Sequence, residues 1–203
     1  MLDVVNLACA RGDRLLFRDL SFSLRPGQLL HLQGANGSGK TTLLRTLCGL
    51  TRPAEGTIRW DGKAISDDRE AFLSRLCHVG HTNALHGDLT GVENLAFEGC
   101  LADADADPRA ALTDIGLGRV ASLPSKLLSQ GQKRRTALAR LLISEKPLWV
   151  LDEPLTALDV RSSAALLARF ADHLRRGGLI ILTSHQEVSL TDWPVLTLGL
   201  EAL

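Results

Sequence analysis

Eight consecutive residues, Gly34-Ala35-Asn36-Gly37-Ser38-Gly39-Lys40-Thr41, constrain this chain more than any other stretch. They satisfy G-x-x-x-x-G-K-[ST] at every fixed position, between the apolar run LLHLQ and the helical pattern TTLLRTLCGL. The order is therefore strand, tight loop, helix. Glycine lets the backbone curl where a Cβ would obstruct it, and the N–H groups of the loop and the new helix then point at an anion. On this reading Gly34, Ala35, Asn36, Gly37, Ser38, Gly39, Lys40, Thr41 and Thr42 surround a nucleotide's phosphates. Lys40 reaches the β and γ phosphates, and the Thr41 hydroxyl ligates Mg²⁺. A Lys-Thr pair directly after such a turn has no packing rationale.

The surrounding pattern is that of an α/β fold with a largely parallel sheet, since short apolar runs alternate with helical periodicity. Strands are expected at Leu20–Leu24, Leu29–Gln33, Thr57–Trp60, Leu76–Val79, Leu148–Leu151, Leu179–Thr183 and Val195–Leu198. LWVL and LIILT are apolar nearly throughout, as strands covered on both faces must be. Helices are expected near Lys40–Cys48, Gly91–Leu101, Arg109–Ile115, Gln130–Ser144 and Ser162–Arg175. The stretch from about Ala84 to Ser125 reads as a helical insertion, with Asp103, Asp105 and Asp107 in a solvated turn.

A length of 203 residues suits one domain, 1–203, that buries roughly 70% of its unfolded surface. Acids and bases balance at 23 each, which gives no support to broad attraction for nucleic acid. Cys9, Cys48, Cys77 and Cys100 are far apart and fit a reducing compartment. Asp3 and Asn6 interrupt any signal-peptide core, and no run approaches the roughly 18 apolar residues of a membrane span. The chain is not expected to enter a membrane by itself.

Three further motifs surround the phosphate cradle. The strand Leu148–Leu151 ends abruptly in Asp152-Glu153-Pro154, at the strand end where ligands of open α/β sheets bind. Asp152 is placed to hold Mg²⁺ and Glu153 to orient and polarise a water. Leu128-Ser129-Gln130-Gly131-Gln132 opens a helix as a capping box of Ser129 and Gln132. Capping does not call for Gly131, whereas close approach of a phosphate does. His185 ends LIILTSH.

Together these motifs resemble the ABC ATPases. LSQGQ is similar to their signature, Leu155-Thr156-Ala157-Leu158-Asp159 to their D-loop and His185 to their switch histidine, all in family order from Gly34 to His185. The resemblance implies a P-loop NTPase fold of ABC type: a parallel core, an antiparallel β subdomain, and a helical subdomain near 84–145. It implies an ATPase using ATP and Mg²⁺, with Glu153, His185 and Lys40 catalytic. It also implies a homodimeric pair in which Ser129, Gln130, Gly131 and Gln132 meet ATP bound by the opposite subunit. Integral membrane subunits would be the partners, at the cytoplasmic face of the inner membrane.

RGDRLLFRDLSFSLRPGQ, VGHTNALHGDLTGVENL and TSHQ resemble more narrowly the ATP-binding subunits of the haem exporter of cytochrome c biogenesis. Haem is the cargo this implies, with another small cargo as the alternative. Two departures stand out. Arg11 falls where the family often has an adenine-stacking aromatic, so Arg11 or Phe17 is the expected base contact, and Thr82 replaces the usual Q-loop glutamine. Cys77, His78, His81 and His86 match no common haem or zinc spacing and read as structural. A clamp on nucleic acid lacks its coiled coils here, and a non-hydrolysing sensor would have lost Lys40 or Glu153.

Overall fold

The computed structural model describes residues 1–102, 106–186, 188, 190, 193 and 195–200. Asp103 and Asp105 of the acidic turn lie outside the described residues. The first half of the chain builds an antiparallel sheet from β1 (Leu2–Arg11), β2 (Arg14–Leu24), β4 (Glu55–Trp60) and β5 (Lys63–Ala64), in the order β2-β1-β4-β5. The second sheet is parallel, with the order β6-β7-β8-β3-β9, from β3 (Leu29–Gln33), β6 (Leu76–Val79), β7 (Leu148–Asp152), β8 (Leu179–Thr183) and β9 (Val195–Gly199).

Strand periodicity assigns the two faces of the parallel sheet. Leu148, Val150, Leu179 and Ile181 turn toward β1, β2 and α1 (Lys40–Leu47), where Leu43, Leu44 and Leu47 are fully buried. Trp149, Leu151, Ile180 and Leu182 turn the other way, against Leu166, Phe170 and Leu174 of α7 (Val160–Arg175). Covered on both faces, these strands have no position for a polar side chain until they end. Asp152 and Thr183 are where they end.

Between the sheet strands lies a helical layer: α2 (Arg69–Leu73), then α3 (Gly91–Ala102), α4 (Pro108–Asp114), two short 3₁₀ turns, α5 (Gln130–Leu138) and α6 (Arg140–Ile143). Leu95, Leu112, Leu117, Ala139 and Ile143 form a core of its own in this layer. Asp107 caps α4, its carboxylate accepting from the Arg109 N–H at 2.8 Å. The helix expected over Gln130–Ser144 is divided at Ala139, whose N–H is shared between the carbonyls of Arg135 and Thr136. Thr136 also bonds back to the Gln132 carbonyl at 2.9 Å, a contact that bends helices.

β1 escapes simple alternation. Leu2 and Val4 face inward, Asn6 takes φ 48°, and Leu7 and Cys9 then face inward on the opposite parity. Register shifts between Val4 and Leu7 in the pairing with β2 mark the bulge.

Candidate functional site

Neighbours in the parallel sheet bring distant residues to one edge. β6, β7, β8 and β3 run side by side, so the loop after Val79, the Asp152-Glu153 pair, Thr183 to His185, and the loop after Gln33 are adjacent at their carboxyl ends. A cleft of about 330 Å³ opens there, lined by Asn36, Gly37, Gly39, Lys40, Thr41, Thr42, Asp152, Glu153 and His185, together with Arg11, Leu16 and His81.

The loop from Gly34 to Gly39 is shaped by its glycines. Gly39 sits at φ 99° as the N-cap of α1, and a Cβ there would stand 3.1 Å from the Phe17 ring and 3.2 Å from Leu16. No side chain caps α1, so its first N–H donors are left to the cleft. Lys40 lies across the loop, its Nζ donating to the Gly34 carbonyl at 2.7 Å and the Ala35 carbonyl at 3.0 Å. Among the described residues Ser38 Oγ is buried without a partner, a polar atom inside the cradle itself.

A chain of hydroxyls and carboxylates crosses the sheet edge. Thr41 Oγ1 donates to Asp152 Oδ2 at 3.0 Å, and Thr183 Oγ1 donates to Asp152 Oδ1 at 2.7 Å. Thr183 Oγ1 also accepts the Glu153 N–H at 2.9 Å. Glu153 has φ 51°. It accepts from the His185 N–H at 3.3 Å and the Thr156 hydroxyl at 3.4 Å, with His185 Nε2 3.6 Å from Oε1. Glu153 Oε1 is buried and has no hydrogen-bond partner among the described residues. Thus two adjacent acids face different tasks: Asp152 inward to hydroxyls, Glu153 toward an imidazole.

The residues fit a Mg²⁺-nucleotide. Hard oxygen donors of Thr41 and Asp152 lie within 3.0 Å of each other, as an oxygen-seeking cation requires, and the cradle supplies N–H donors and an ammonium for phosphate oxygens. Thr183, which the sequence reading did not single out, orders both acids; its only sequence signal was a hydroxyl at the end of an apolar strand.

Two expectations, Phe17 as a base contact and His81 as a purely structural residue, meet a different geometry. Phe17 is 5% exposed, with its ring in the core below Gly39; Leu16 lines the cleft in its place, and Arg11 remains the exposed residue beside it. Thr82 does not line the cleft, whereas the adjacent His81 does. His78, on β6 itself, is held below the usual imidazole range by burial, against the opposing influence of Asp152.

Ser129 caps α5 as expected. Its Oγ accepts the Gln132 N–H at 3.2 Å, and Gln132 Oε1 accepts the Ser129 N–H at 2.8 Å. The Ser129 hydroxyl proton is still free to donate to an anion. Gly131 has a reason inside its own chain: a Cβ there would fall 2.8 Å from the Ala157 carbonyl oxygen. None of Ser129, Gln130, Gly131 or Gln132 lines the cleft around Lys40.

The next turn of α5 carries a residue that the motif reading missed. Arg134 is 4% exposed, and Nη2 donates to the Asp152 carbonyl at 2.6 Å and the Glu153 carbonyl at 2.8 Å. Nη1 donates to the Gly80 carbonyl at 2.8 Å and Asn83 Oδ1 at 3.3 Å. Burial lowers its pKa, and Asp152 and Glu153 oppose that shift. Two arginines in a helix pattern look like solvated charge, and nothing in the sequence distinguishes the buried one.

A phosphate cradle, a carboxylate pair and a helix-capping signature on a parallel sheet define an ATP-binding cassette. The chain belongs to the ABC transporter family, whose description matches residues 17–156, and it is an ATPase. Within that family it belongs with the cytochrome c biogenesis ATP-binding export proteins CcmA. The relative from Aromatoleum aromaticum is 50% identical, over 92% of this chain and 89% of its own length. That from Dechloromonas aromatica is 49% identical, over 94% and 95%. A solved ATP-binding subunit of an ABC transporter superposes with a TM-score of 0.82 at 27% identity, covering 91% of this chain and 79% of its own. A dimeric post-hydrolysis state of the cassette MJ0796, bound to ADP and Pi, shares the fold at TM-score 0.81 and 23% identity, over 92% and 88%.

Proposed function

We propose that this chain is the motor subunit of a haem exporter in cytochrome c biogenesis, working as a pair against integral membrane subunits at the cytoplasmic face of the inner membrane. The observation that carries the motor reading is the line Thr41–Asp152–Thr183, with Glu153 and His185 beside it and Lys40 opposite. The cargo and the membrane partner rest on the export relatives named above. Among the described residues no helix is long and apolar enough to cross a membrane, which is in keeping with a separate membrane subunit.

In this reading Lys40, the loop N–H groups and Ser38 bind the phosphate chain, and Arg11 lies beside the base. Thr41 and Asp152 would hold Mg²⁺, which would supply positive charge to offset that of the phosphates. Glu153 accepts the proton of the attacking water as the γ-phosphorus–oxygen bridge breaks, and His185 keeps its carboxylate aimed. The signature lies outside its own chain's cleft, which supports a site completed by the second subunit's Ser129 to Gln132. Residues 84–145 are the lever that carries the signature.

Capture of the tagged chain from solubilised inner membranes tests the cargo. An integral membrane subunit and a haem absorption band are expected in the eluate. An ATP-responsive membrane partner carrying another small molecule, with no haem, overturns the cargo assignment and leaves the motor intact.

A further inference from the structure

Arg134 does not line the cleft, yet it joins three separate pieces of the site. It projects from α5, one turn beyond the signature. One end of its guanidinium holds the carbonyls of Asp152 and Glu153, and the other holds Gly80 and Asn83. The Glu153 backbone needs such support. A non-glycine residue at φ 51° is in a strained, sparsely populated region, which persists only where surroundings over-determine it. Hydrogen bonds from a buried cation to the carbonyls on either side of that Cα supply the constraint.

The same loop is gripped from its far side. Arg140 Nη2 lies 3.2 Å from the Ala84 carbonyl and 3.4 Å from that of Asn83, and 3.1 Å from Glu98 Oε1 on α3. His81 and Thr82 therefore sit on a short span fastened at Gly80 and at Asn83–Ala84. The Gly80 end of that fastening is shared, through one planar group, with the main chain of Glu153.

We propose that Arg134 is a positioning residue for Glu153, which fixes its carboxylate and makes that aim depend on where the 80–84 loop lies. The inference rests on Glu153 as the water-polarising group. Any partner that shifts the loop pulls on the guanidinium, and the guanidinium is bonded to both carbonyls around the Glu153 Cα. Lysine in its place carries the charge but has no planar fork, so it cannot span the four acceptors together.

The test measures ATP turnover and ATP affinity of the full chain as Arg134→Lys, alone and combined with Glu153→Gln. ATP affinity is read separately, by binding of a non-hydrolysed ATP analogue. Arg134→Lys is expected to lower kcat about 10- to 100-fold, as a displacement near 1 Å does, with analogue affinity within about 3-fold of the parent. In the Glu153→Gln background the second change should add almost nothing, since the group it positions is already gone. Arg134→Gln, with one amide in place of the fork, replaces the lysine variant if that does not fold and is expected to behave alike. A product of the two single effects in the double variant overturns the proposal, as does an affinity loss that matches the loss in kcat. Should the unaltered chain fail to hydrolyse ATP, or Glu153→Gln keep normal turnover, the proposed mechanism itself falls instead.

Discussion

Replacing Thr183 by valine keeps the side chain's shape and removes one oxygen from the centre of the site. Thr183 is fully buried, and that oxygen both donates to Asp152 at 2.7 Å and accepts the Glu153 N–H at 2.9 Å. Losing a bond to a charged group costs about 1.5–3 kcal/mol, and a buried N–H left unpaired costs about 1–3 kcal/mol. A buried methyl in place of the hydroxyl returns about 0.8 kcal/mol. The net loss is about 2–5 kcal/mol, which for a domain of this size lowers Tm by roughly 4–20 °C. Turnover should fall as well, because Asp152 and the Glu153 backbone both lose an anchor. Thr183→Ser, which keeps the oxygen, should recover most of the activity and leave only the loss of a buried methyl. Thermal melts at neutral pH, paired with Mg²⁺-dependent ATP turnover, read both effects. A valine variant that melts with the parent would refute the hydroxyl's role as a shared anchor.

Gly131→Ala should destabilise the chain by about 1–2 kcal/mol despite alanine's better helix propensity, because its Cβ meets the Ala157 carbonyl at 2.8 Å. Denaturant unfolding without nucleotide checks this; unchanged stability with lost activity would assign the glycine to phosphate approach alone. His173 stacks flat on Trp149 at 3.7 Å, and burial there lowers its pKa from 6.5 to about 4, only partly opposed by the main chain at Pro147 and Leu179. The folded state therefore sheds this proton while the unfolded state binds it, so stability is full above about pH 6.5 and is lost as pH falls toward 4. The shift corresponds to at most about 3 kcal/mol, nearer 1–2 kcal/mol with the ring partly in contact with solvent. His173→Gln should flatten the slope of unfolding free energy between about pH 6.5 and 5, and an unaltered slope would contradict the assignment.

The sheet and the cradle were legible because each rests on a local rule. Continuous apolar strands identified β7 and β8, and G-x-x-x-x-G-K-[ST] sits where α1 begins. β1 was missed because its bulge at Asn6 moves the inward-facing set from Leu2 and Val4 to Leu7 and Cys9, which erases a period of two. Phe17 and Leu16 are adjacent in a strand, so sequence alone could not choose which of them faces the cleft. The same limit separates His81 from Thr82. Arg134 was illegible for another reason: its acceptors are main-chain carbonyls far away in sequence, and carbonyls carry no sequence signal.

Nucleotide trapping tests the account's central claim most directly. Lys40→Ala and Glu153→Gln are purified, loaded with Mg²⁺-ATP, and followed for bound nucleotide, hydrolysis and oligomeric state. Lys40→Ala removes the ammonium over the phosphates, so it should retain little ATP and remain monomeric. Glu153→Gln keeps the cradle and loses the basic carboxylate, so it should retain intact ATP, turn over at least about 100-fold more slowly, and elute as a dimer. Rapid hydrolysis by Glu153→Gln, or a nucleotide-loaded form of it that stays monomeric, would contradict a shared site driven by this glutamate.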